Sequence, residues 1–170
     1  SLHDALPILP NDPSWTIHAS TPAIGGTGTI RLDRAGTYTN ADFLSMTQPY
    51  AAGSLLSTVE DLFTWSKALH SGKVVQPESL KKMTTPTVLP DGTDTHYGFG
   101  LQMGNLFGSP TVEHSGGING FLSDLLYLPK EEVCVAILTN CDCEPPRDLS
   151  AKLAALTINK PLTPAAIQEI

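Results

Sequence analysis

Four β-prone segments joined by very short connections constrain this chain more than any other feature. They cover residues 97–106, 110–113, 121–128 and 133–139. A parallel neighbour needs a crossover of a dozen residues or more, which these connections cannot supply, so adjacent strands are expected to be antiparallel. Leu126 and Leu128, then Val133, Val135 and Ile137, alternate as the faces of a half-buried sheet do. Residues 145–159 read as a helix. Leu149, Leu153 and Leu156 fall on one side of it and are expected to pack on the sheet. Upstream, Ser57-Thr58-Val59-Glu60 reads as a capping box, with hydroxyl and carboxylate three apart. Leu62, Trp65, Ser66 and Leu69 follow at helical spacing, and Gly72 stops that helix. Pro77 suits a first helical turn, which predicts a short helix over 78–83, and residues 86–95 read as loop. Helices against an antiparallel sheet make the fold class α+β.

The N-terminal third is less regular. Residues 9–50 are rich in Thr, Gly, Pro and Asp, and 23–34 with 35–39 are expected to form a hairpin. Ser1-Leu2-His3-Asp4-Ala5-Leu6-Pro7-Ile8 resembles the translation of a short-read sequencing adapter, so 1–8 is set aside from the fold. Residues 9–160 are then one domain portion, and the Pro-containing stretch 161–170 reads as the start of a linker. With 170 residues one substantial core is possible. A formal net charge of −7 argues against a nucleic-acid partner. No apolar run approaches a membrane span.

The chemistry concentrates in His114-Ser115-Gly116-Gly117-Ile118-Asn119-Gly120-Phe121. Glycines in a strand admit a ligand or another backbone closely. His114 and Ser115 are adjacent and so point to opposite faces of a strand, which excludes them as a nucleophile–base pair with each other. The segment therefore reads as one wall of a site whose nucleophile comes from elsewhere. Asn119 reads mainly as a turn residue.

These residues carry a resemblance. The serine β-lactamase-like hydrolases, including penicillin-binding proteins, class C β-lactamases and related esterases, have a Lys-Thr-Gly triplet on a sheet-edge strand. Esterase and peptidase members often have His for Lys and Ser for Thr, and His114-Ser115-Gly116 is similar to that variant. Tyr50-Ala51-Ala52-Gly53-Ser54-Leu55-Leu56-Ser57-Thr58-Val59-Glu60-Asp61-Leu62 resembles the family's glycine turn and following helix. His96-Tyr97-Gly98-Phe99-Gly100-Leu101 resembles the strand before the triplet, and 133–140 the strand after it. The resemblance covers 41–159 in order and spacing. It implies a C-terminal portion of the β-lactamase/transpeptidase-like fold and hydrolysis of an ester, amide or lactam through an acyl-serine. It further implies catalytic-wall roles for His114, Ser115, Gly116 and Gly117, with the Gly117 N–H as one oxyanion donor. Ser115 is expected to hydrogen-bond a substrate carboxylate or carbonyl. The implied partner is a small-molecule or peptide-like acyl substrate. No cofactor is implied, and the implied location is periplasmic, secreted or membrane-anchored.

Two literal matches to the family's other motifs are set aside. Ser79-Leu80-Lys81-Lys82 spells Ser-x-x-Lys but follows the glycine turn and sits on a short polar helix, whereas the family's nucleophile precedes that turn. Tyr38-Thr39-Asn40 spells Tyr-x-Asn but runs directly into Ala41-Asp42-Phe43-Leu44, too close to the triplet. The nucleophile and its tyrosine motif are therefore expected upstream of this chain, leaving it inactive alone. Cys134, Cys141 and Cys143 invite a metal reading, but Cys141-Asp142-Cys143 leaves a single intervening residue where zinc sites prefer two to four. Three cysteines also cannot form a complete disulfide framework. Cys134 reads as a buried small hydrophobe. His18, His70 and His96 read as solvated, and Trp15 and Trp65 as packing residues. The competing function class is a non-catalytic sheet module that binds peptide by strand addition.

Overall fold

The order of elements is β1 (Ile30–Leu32), β2 (Tyr38–Asn40), α1 (Val59–His70), α2 (Pro77–Met83), β3 (Gln102–Leu106), β4 (Ser109–Ile118), β5 (Phe121–Leu128), β6 (Val133–Thr139) and α3 (Arg147–Thr157). The computed structural model describes residues 30–32, 38–45 and 47–161. The readings of 1–8, Trp15, His18 and most of 161–170 lie outside these residues. Of the predicted N-terminal hairpin, the described part is β1 paired antiparallel with β2.

Strands β3 to β6 form an antiparallel meander in chain order, as the short connections require. Phe107 and Gly108 make the first two-residue turn, with φ of 53° and 83°. Positive φ at both centres matches the strands' right-handed twist. Asn119 and Gly120 make the second, closing Ile118 against Phe121. Strands β5 and β6 have the predicted bounds. Strand β4 is longer than expected and carries the whole triplet, whereas β3 is shorter, because residues 98–101 turn instead of continuing the strand.

Alternation along β5 separates two faces. Leu126 and Leu128, with Leu106 and Val135, are buried beside Ala151 and Ala154 of α3. Each fully buried leucine contributes roughly 1.5–3 kcal/mol. Tyr127 points the other way and stacks on His70 of α1, ring centroids 3.9 Å apart. His70 is therefore not solvated as expected; burial holds its imidazole below the ordinary histidine value. Cys134, opposite Tyr127, is half-buried, and burial pushes its thiol up.

Helix α1 starts one residue later than the capping box suggested. The cap is Thr58, whose Oγ1 accepts from the Asp61 N–H at 3.1 Å. Ser57 instead donates to the Thr58 carbonyl. Helix α3 docks on the sheet, but not through the predicted leucine stripe. Leu149, Leu153 and Leu156 are 50%, 40% and 53% exposed, whereas Ser150, Ala151, Ala154 and Ala155 are buried. The sheet face already carries large leucines, so the helix presents its small residues and approaches closely. Leaving three leucines outside gives the chain an apolar stripe. Replacing Ala154 by leucine is expected to cost about 1–3 kcal/mol through overpacking. Leu153→Ala is expected to stay within about 0.5 kcal/mol. Urea unfolding of both variants checks the order; the reverse order returns the stripe to the sheet.

Among the described residues no helix is long and apolar enough to cross a membrane.

Candidate active site

The end of β3 shapes the site. Its ladder with β4 stops at Gln102 opposite Glu113, while β4 continues to Ile118 with β5 alone beside it. Ile118 and Phe121 close a two-residue hairpin and so form a hydrogen-bonded pair. Because bonding alternates along an antiparallel strand, Gly116 and His114 also bond toward β5. Ser115 and Gly117 then turn their N–H and C=O groups to the opposite edge, which among the described residues no strand covers. Backbone N–H groups of Ser115 and Gly117 facing an edge that no described strand covers can hold a carbonyl or an oxyanion.

A tight turn keeps that edge open. Gly98 N–H donates to the Leu101 carbonyl at 2.8 Å, and Gly100 has φ of 72°. A Cβ on Gly98 would lie 2.0 Å from the Met83 carbonyl oxygen at the end of α2, so only glycine fits there. Tyr97 pairs with Gln102 across this turn. Had residues 97–101 run on as the predicted strand, they would lie along the Ser115–Gly117 edge and fill it.

The four predicted wall residues are all exposed. His114 is on the Tyr127 face of the sheet, and its Nε2 is 2.9 Å from the Tyr97 hydroxyl. Ser115 lies opposite Asp124, on the α3 face. His114 and Ser115 therefore point apart, as their adjacency predicts. Gly116 pairs with Ser123, and a Cβ on it would sit 2.6 Å from the Ser123 hydroxyl. Gly117 pairs with Leu122, whose Cδ2 would be 3.0 Å from an added Cβ. Asn119 ties the hairpin down: its Nδ2 donates to the Asp42 carbonyl at 3.0 Å. The glycine turn arrives at the same end, with Ile118 Cγ2 3.5 Å from the Cβ position of Gly53. Ser79 lies in the first turn of α2, no residue of which is buried.

Beneath the wall is an ionic cluster that sequence reasoning did not single out. Glu113, 3% exposed, pairs with Arg147 of α3, and Asp124, 1% exposed, lies nearby. Burial pushes the Glu113 carboxyl up, against the pull of Arg147 and reinforced by the charge of Asp124. Burial likewise raises Asp124, opposed by Ser150 and Arg147. Ser150 gives its one hydroxyl proton to the Pro146 carbonyl at 3.2 Å, and neither carboxylate oxygen of Asp124 accepts a hydrogen bond among the described residues. The available signal was a pair of acidic residues in strand segments beside an arginine at a helix start.

Cys141 and Cys143 are paired as a disulfide in the loop after β6. Asp142 between them accepts from the Gly120 N–H at 3.3 Å, linking this loop to the β4–β5 turn. Among the described residues no group of three or more His, Cys, Asp or Glu side chains is placed to hold a metal ion.

Comparison with known proteins gives a consistent family. The model described as Beta-lactamase matches residues 8–159. A D-aminopeptidase from Gluconobacter oxydans (strain 621H) is 25% identical over 108 residues, which is 64% of this chain and 20% of that protein. The octameric penicillin-binding protein homologue from Pyrococcus abyssi superposes with a TM-score of 0.66 at 30% identity, over 79% of this chain and 31% of that one. A D-stereospecific amidohydrolase from Streptomyces sp. superposes with a TM-score of 0.57 at 26% identity, over 68% and 35% of the two chains. The chain thus spans between 20% and 35% of the length of these relatives.

Proposed function

The chain belongs to the beta-lactamase family, and from that membership we propose that its β4 segment is one wall of a serine acyl-transfer site. The four-stranded antiparallel sheet with its helices is part of the β-lactamase/transpeptidase-like fold. The observation that carries the proposal is the uncovered Ser115–Gly117 edge, with His114 beside it. In this reading a serine Oγ attacks the substrate carbonyl and the Gly117 N–H receives the developing oxyanion. The leaving amine departs with a proton, and water then releases the acid from the acyl-serine. His114 supplies a positioned polar group, and Ser115 binds a substrate carboxylate or carbonyl. The acylating serine is not Ser79, and the 170 residues alone are inactive.

Similarity to a D-aminopeptidase and to a D-stereospecific amidohydrolase supports an amide of a D-amino acid as the substrate of this site. The complete gene product is expected to release ammonia from D-phenylalanine amide faster than from the L-isomer, and to be labelled by a fluorophosphonate. Ser79→Ala is expected to keep both properties. Labelling of the present chain at Ser79, or loss of labelling in that variant, would make Ser79 the nucleophile. The same open edge also suits strand addition by a peptide. That second reading gains if the complete product binds peptide but is neither labelled nor active.

A further inference from the structure

We propose that Tyr97 is a positioning residue for His114, holding the imidazole in one tautomer by donating its phenolic proton to Nε2. Three observations point to it. The Tyr97 hydroxyl lies 2.9 Å from His114 Nε2, and the rings meet edge to face with centroids 6.0 Å apart. The Tyr97 backbone is held on both sides. Its N–H donates to Thr95 Oγ1 at 3.2 Å, and its carbonyl accepts from the Thr87 N–H at 2.9 Å. The residue after it, Gly98, is locked against the Met83 carbonyl, which a side chain would strike. An exposed aromatic side chain gains little from burial, yet this one is fixed by its neighbours and aimed at a residue 17 positions away.

The direction of the bond follows from elementary acidity. Of the two neutral groups the phenol is the stronger acid and the unprotonated imidazole nitrogen the better acceptor. Tyr97 therefore donates, and the ring proton sits on Nδ1. Which nitrogen of a histidine carries its proton is set by the bond the other makes. Tyr97 thus decides which edge of His114 is the donor, and the tight turn at 98–101 that keeps the β4 edge open also places the tyrosine. The consequence for catalysis rests on the acyl-transfer reading of β4; the tautomer itself does not.

The test is a long-range 1H–15N spectrum of the intact chain at about pH 8, where an ordinary imidazole is neutral. His114→Gln identifies the resonances of the ring. The expected result is Nδ1–H as the major tautomer, replaced by Nε2–H as the major tautomer in Tyr97→Phe, which keeps the aromatic ring and hence the fold. Backbone amide spectra establish that the fold is kept. Nε2–H as the major form in the parent chain overturns the proposal, as does an unchanged tautomer in Tyr97→Phe. Because the spectrum needs no turnover, it separates two failures. A tautomer switch combined with full activity of a His114→Ala complete enzyme leaves the positioning role standing and removes the acyl-transfer reading.

Discussion

Arg147→Ala is expected to cost about 3 kcal/mol of stability at neutral pH, the largest loss from any single charge in the described chain. The figure is at the low end for a broken buried pair because the Arg147 side chain is 34% exposed while Glu113 is 3% exposed. What remains after the substitution is the greater part of the penalty: two carboxylates under the sheet with no cation between them. Loss of the guanidinium stem's packing against the sheet adds to it.

The pH dependence gives this prediction its signature. Burial raises the folded-state values of both Glu113 and Asp124 even with Arg147 present. In the interval between the unfolded carboxylate value, about 4, and the raised folded values, the folded state holds more protons than the unfolded one. Stability therefore falls as pH rises through that interval, and the penalty is complete above it. Without Arg147 both folded values rise further, so the interval widens and the fall is larger. Below about pH 4 the carboxyls are neutral in both states, and the cost of Arg147→Ala shrinks to lost packing. Urea unfolding of parent and variant at pH 4 and pH 8 checks this. A cost that stays constant or grows toward acid would show that Arg147 acts through packing alone.

In the complete enzyme, His114→Ala is expected to lower kcat/KM for an amide or ester substrate by roughly ten- to a thousandfold, the scale of a lost positioned polar group. The fold is expected to survive, because His114 is exposed and packs little. Gly117→Val is expected to reduce turnover for a different reason. Its Cβ would meet only the flexible end of Leu122, at 3.0 Å, so the strand can accept it. The branched methyl groups would crowd the approach to the N–H that receives the oxyanion. Thermal unfolding and turnover are to be measured together on both variants. If both melt normally and both turn over at the parent rate, the segment from His114 to Gly117 is turn chemistry, and the strand-addition reading takes its place.

Much of the frame was legible from residue pattern. Alternation in 121–128 and 133–139 set two strands to their observed ends, and β5 is bounded by turn residues, Gly120 at φ of 78° before it and Pro129, which has no N–H to donate, after it. Gly72 and Pro77 punctuated the helices for the same local reason. The triplet His114-Ser115-Gly116 stood out as a candidate site because a histidine, a hydroxyl and paired glycines in a strand have few purely structural uses.

Other features depended on what lies across space. Leu149, Leu153 and Leu156 form a valid helical stripe, yet the opposite side of α3 docks, since the space beneath it is already filled by Leu106, Leu126 and Leu128 and only Ala151 and Ala154 fit. His70 was misread as solvated because its partner, Tyr127, is 57 residues away in sequence and close only after folding. The triplet's role depends on the same kind of distant fact. From sequence alone 97–106 is one strand; the Met83 carbonyl behind Gly98 fixes a turn there instead. Sequence by itself determined how many strands the four-stranded sheet has, their order and antiparallel sense, and which residues are candidates for polar chemistry, because periodicity, turn residues and connection length are local. Only the tertiary structure decided which helix face is buried, which carboxylates share Arg147, and that no described strand covers the edge of β4 at Ser115 and Gly117, because each depends on volume and charge contributed by residues far along the chain.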